Sequence, residues 1–77
     1  MSKGMLAQAA AAVIRTQTAR AGWLMQELDI DFICATRLID DLHRLGIVGP
    51  PNGSEGREVR YLPGQLGAAI DLIQKEN

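Results

Sequence analysis

One cysteine, one histidine and three aromatic side chains are the scarcities of this 77-residue sequence, and each excludes something. Cys34 alone cannot found an internal disulfide framework or a multi-cysteine metal site. His43, as the sole histidine, leaves no His/Cys cluster at ligand spacing, so neither a metal nor a cofactor is expected. With Trp23, Phe32 and Tyr61 as the only aromatics, leucine, isoleucine, valine and alanine must build most of the core. The longest apolar run, residues 9–14, falls far short of the roughly 20 residues that span a bilayer. No charged-then-apolar leader opens the chain, which makes a cytoplasmic location without membrane contact the expectation. An excess of positive charge is missing too: eight Lys and Arg stand against nine Asp and Glu, for a net charge of −1. A dedicated nucleic-acid binder is usually basic, because neutralised phosphates supply much of its affinity. Such a role here requires a local basic face.

What is present suits one folded domain over residues 1–77. Hydrophobic residues make up 47% and charged residues 22%, with no tract of disordered composition. Residues 5–15 are alanine-rich and carry Leu6, Ala9, Ala10, Val13 and Ile14 at helical spacing, a first helix. Thr16 or Thr18 is then a candidate N-cap for a second helix over 19–28, with Leu24 and Leu28 one turn apart. Asp31 caps a third helix over 32–45, in which Ala35, Leu38, Leu42 and Leu45 form one apolar stripe flanked by Ile39. Gly46 closes it as the C′ residue.

Beyond Gly46 the period changes. Ile47-Val48 reads as a short strand, residues 49–56 as a turn-rich loop, and residues 57–62 as a second, half-buried strand with alternating charged and apolar positions. Pro63 opens a last helix over 63–75 with Leu66, Ala69, Ile70 and Ile73 on one face. The expected fold is therefore mainly α with a small β-hairpin: a winged helix-turn-helix of three helices, a wing and a C-terminal helix. That plan normally presents its third helix to the DNA major groove.

The stretch 35–48, ATRLIDDLHRLGIV, followed after the loop by Arg57-Glu58-Val59, resembles the gamma domain of FtsK- and SpoIIIE-type DNA translocases. There the helix typically reads AARIIEQMEAQGIV and the second strand begins REV. The likeness covers roughly residues 18–62, with Leu24, Leu28, Ile30 and Phe32 on apolar family positions. It implies a domain that recognises short oriented sequences on chromosomal DNA and directs a motor, through the start of the third helix and the wing. Arg37 and Arg57 match family arginines. Ile33 and Cys34 replace the family's usual Asn and Arg, and Asp31 stands where a glycine is usual.

Two functions of different class follow. In the first, the chain is a small DNA-binding regulator or accessory factor: Thr36 and Arg37 lie nearest the bases of double-stranded DNA, Arg57 and Ser54 of the wing nearest the backbone, and Arg20 at a phosphate. Against this stand Asp31, Asp40 and Asp41 on the third helix, since carboxylates at contact distance oppose phosphates. Local pairing is the competing account of the arginines, Arg37 with Asp41 and Arg44 with Asp40, and it is preferred for Arg44 and Arg60. In the second, the fold serves as a protein-interaction adaptor whose apolar patch is Trp23, Met25, Ile33 and Cys34. The last helix either covers the domain's own core or pairs with a second copy through Leu66, Ile70 and Ile73. No acid–base, nucleophile or metal constellation can be assembled, so an enzyme is not expected.

Overall fold

The computed structural model describes residues 2–52 and 56–75. It is mainly helical, with α1 at Lys3–Thr16, α2 at Ala21–Leu28, α3 at Phe32–Arg44 and α4 at Leu66–Lys75, the last preceded by a 3-10 turn at Pro63–Gln65. α1 is the central element and packs against α2, α3 and α4. Its sequence explains this position. Ala9, Ala10, Val13 and Ile14 are fully buried, and two adjacent alanines let neighbouring helices approach on more than one side. Ser2 caps its start, the hydroxyl accepting from the Met5 N–H at 3.1 Å.

α1 ends at Gln17 in the left-handed region (φ 56). The Gln17 amide nitrogen donates to the Ile14 carbonyl at 2.7 Å and to the Tyr61 carbonyl at 2.9 Å, tying this helix end to the segment before α4. The threonines do not cap α2. The Thr16 hydroxyl donates back to the Ala12 carbonyl and that of Thr18 to the Thr16 carbonyl, while Arg20 takes the N-cap position without a side-chain capping bond. α3 obeys its sequence signals. The Asp31 carboxylate accepts from the Cys34 N–H at 2.7 Å. At the other end Gly46 (φ 80) lets its own N–H reach the His43 carbonyl and the Ile47 N–H reach the Leu42 carbonyl, both at 2.9 Å. That is a Schellman closure, and it drives Ile47 and Val48 into the core, where both are fully buried.

The expected hairpin is reduced to one antiparallel bridge, Val48 with Val59. It is flanked by Gly49 N–H to the Glu58 carbonyl at 2.8 Å and Arg60 N–H to the Ile47 carbonyl at 2.9 Å. No longer strand forms among the described residues, over 57–62 or elsewhere. The register gives the reason. The next bonded pair would join residues 51 and 56, but Pro51 has no N–H to donate, and the Arg57 N–H, which this register turns away from the partner, goes to the Ala19 carbonyl at 3.2 Å. At the other end the next bonded pair would join residues 45 and 62, but the Leu45 N–H belongs to α3, donating to the Asp41 carbonyl, and the Leu62 N–H donates to the Gln65 side chain at 2.8 Å.

α4 docks on α1, and Ala69 and Ile73 are fully buried in the chain's own core. Leu66 and Ile70 are half-buried against the same core. Of the three residues read as a dimer face, Ile73 is thus enclosed within the single chain, because the apolar stripe of α4 meets the alanine-rich face of α1. No described helix is long and apolar enough to cross a membrane.

Candidate nucleic-acid interface

The geometry of α3 decides what this molecule can present. At 100° per residue, the buried Ala35, Leu38 and Leu42 define one face, and Ile33, Arg37, Asp40 and Arg44 run along the opposite one. Ile33 is 66% exposed and its neighbour Phe32 57% exposed. Phe32 sits on an apolar family position but stays outside the core, since burial on α3 begins only at Ala35, one turn later. Residues 32 and 33 are the first turn after the Asp31 cap, ahead of the stripe that meets α2.

The charges on this face sort differently from the local pairing expected. Asp40 pairs not with Arg44 but with Arg57, whose Nη2 stands 2.8 Å from the Asp40 Oδ1. Arg44 lies 3.5 Å from Asp41 at i, i+3. Arg37 therefore loses the Asp41 partner assigned to it, and among the described residues no ion pair engages it. Asp31 is committed to its capping bond. All three carboxylates that stood against DNA contact thus have partners, and Arg37 projects from the outward face between them.

The other site residues fall as follows. The Arg57 side chain is only 14% exposed, with Nη1 buried and without a partner among the described residues; it fastens the returning chain to α3 instead of facing outward. Arg20 is exposed at the start of α2. Its Cγ lies 2.6 Å from where a Cβ on Gly56 would stand, so the chain returning from the loop passes directly over the arginine stem. Thr36 is half-buried and its hydroxyl donates to the Phe32 carbonyl at 2.9 Å. Arg20, Trp23, Phe32, Thr36 and Arg57 share the wall of an open concavity of about 660 Å³ beside α3. Ser54 lies outside the described residues.

The apolar patch read from the sequence does not assemble as a unit. Trp23, Met25 and Cys34 are half-buried against the core, and only Ile33 stands clear of it. Phe32, which the resemblance puts on an apolar family position, is exposed as well. A helix-start position directly after an N-cap was the available signal, because a first turn often overhangs the packed stripe. Among the described residues no group of three or more His, Cys, Asp or Glu side chains is placed to hold a metal ion.

The family model described as Ftsk gamma domain matches residues 2–61. The match takes in α1 as well as the 18–61 stretch, and leaves the whole of the last helix outside. The DNA translocase FtsK of Streptomyces coelicolor is 36% identical over 73 residues, covering 95% of this chain and 8% of that protein. The DNA translocase FtsK of Tropheryma whipplei is 36% identical over 69 residues, 90% of this chain and 9% of the relative. That of Streptococcus pyogenes serotype M1 is 40% identical over 52 residues, 68% of this chain and 6% of the relative. The chain spans less than a tenth of the length of each of these relatives. No solved structure matches it.

Proposed function

The chain belongs to the Ftsk gamma domain family, and on that premise we propose that it is a DNA-reading module that lays α3 in the major groove of a duplex. The relatives it matches are named as DNA translocases, which supports double-stranded DNA as the partner and the cytoplasm as the place of action. One observation carries the reading: on the outward face of α3 the acids are paired or capping, and Arg37 stands unpaired among the described residues. The net charge of −1 is then no obstacle, since a local cationic stripe is enough for phosphate and base contact.

In this reading Arg37 addresses a base edge, Thr36 flanks it, and Arg20 meets a phosphate. Arg57 acts as a positioning residue that holds Asp40, in place of the direct phosphate contact expected from the sequence. The Val48–Val59 bridge is the base of a wing. The role of regulator or accessory factor narrows to this binding step, with no catalysis of its own. The adaptor reading is the weaker one on the same face, because Trp23, Met25 and Cys34 are half-buried. Fluorescence anisotropy of a labelled duplex at low salt tests the proposal. Saturable binding at micromolar protein is expected, and its absence overturns the reading.

A further inference from the structure

We infer that Ile33 is a specificity residue that reads the 5-methyl group of a thymine, so that the chain's target carries a T·A pair about two steps from a G·C pair read by Arg37. The inference rests on the proposed placement of α3 in the major groove and deepens it. In helix-turn-helix docking the N-terminal residues of the third helix reach the base edges. Here those residues are Ile33, Thr36 and Arg37, and Ile33 and Arg37 lie one turn apart on the outward face.

The chemistry of each side chain restricts its partner. Ile33 is 66% exposed, and it carries neither a donor nor an acceptor. Against cytosine N4 or guanine O6 it would strip water from a polar edge and return no hydrogen bond, a costly arrangement. Thymine is the one base whose major-groove edge presents an apolar group, and covering that methyl with an isoleucine removes apolar surface from water on both sides. Arg37 offers the fork that matches guanine O6 and N7. A separation of four residues on a helix rises roughly 6 Å, close to two base-pair steps of about 3.4 Å. Phe32 does not compete for this role. It lies about 100° round the helix from Ile33, on the wall of the concavity with Trp23 and Thr36. A lone exposed apolar side chain needs no explanation; one sharing the outward stripe with an arginine that no described residue pairs, at the reading end of the helix, has a specific use.

The test uses the whole chain. Duplexes selected from a random pool should be enriched in a thymine within one to three base pairs of a guanine. Replacing that thymine by uracil, which deletes only the methyl, should weaken binding about fourfold, the worth of one buried methyl group. Ile33→Ala should bind thymine and uracil duplexes equally, while Arg37→Ala retains the thymine-to-uracil ratio and loses the guanine preference. Because Ile33 is exposed, the variant leaves the core intact, and circular dichroism verifies the fold. Tight binding with equal affinity for thymine and uracil duplexes, or a ratio that survives Ile33→Ala, overturns the inference and leaves DNA reading standing. No binding to any duplex overturns both.

Discussion

Arg57 reaches across 17 residues of sequence to place its Nη2 2.8 Å from the Asp40 Oδ1, fastening the returning chain to the outward face of α3. The two ends of this bond are unequal, the Arg57 side chain being 14% exposed and that of Asp40 59%. Replacing the acid by its amide keeps an acceptor oxygen but leaves a largely enclosed cation without a compensating charge, beside an Nη1 that has no partner among the described residues. Asp40→Asn should therefore destabilise the chain by about 1 kcal/mol, the upper end for a pair with one exposed partner. Arg57→Ala should cost more, about 2 kcal/mol, because the buried stem is lost as well. The same Asp40→Asn change removes a negative charge from the proposed groove face, so DNA affinity should rise at low salt while the melting temperature falls. Thermal denaturation and anisotropy on one preparation check both signs.

The last helix gives a prediction on stability alone. Ile73 is fully buried, on a helix that packs against α1. Ile73→Ala should cost about 2–4 kcal/mol through lost burial and the cavity left behind. At roughly 4–8 °C per kcal/mol for a domain of this size, the loss of melting temperature is at least about 8 °C. Sedimentation should show the same molecular mass before and after. A variant that changes mass but not melting temperature would mean that this face belongs between copies of the chain.

Two glycines separate conformational strain from steric conflict. Gly46 (φ 80) has open space where a Cβ would stand, so Gly46→Ala should carry only the left-handed penalty of about 1 kcal/mol. Gly56 (φ 84) would set its Cβ 2.6 Å from the Arg20 Cγ. Gly56→Ala should therefore lower stability and also displace Arg20, weakening DNA binding, whereas Gly46→Ala leaves binding unchanged. Equal effects on binding would remove Arg20 from the proposed interface.

The helices were legible in the sequence because their signals are local. The Asp31 cap, the Gly46 stop and the 3.6-residue periodicity of Ala35, Leu38 and Leu42 each act within a turn or two, and each appears in the structure. Alternation at residues 57–62 describes which side chains face inward, whereas a ladder also needs donors on the partner, and Pro51, at the next bonded position, lacks one. Ion pairing on α3 was misassigned for a related reason. Spacing i, i+4 names the neighbours on a helix but is silent about Arg57, which arrives from 17 residues away. The apolar patch failed as a unit because Trp23 and Cys34 are drawn against the core in a chain with so few large side chains to fill it.

Arg37 bears most directly on the central claim that α3 is a reading head. The decisive measurement is the salt dependence of duplex binding for the unmodified chain and for Arg37→Ala. Binding should weaken linearly in log–log form as salt rises, and the variant should bind more weakly with a slope smaller by about one counterion. Binding and slope that are the same in both proteins would contradict the account.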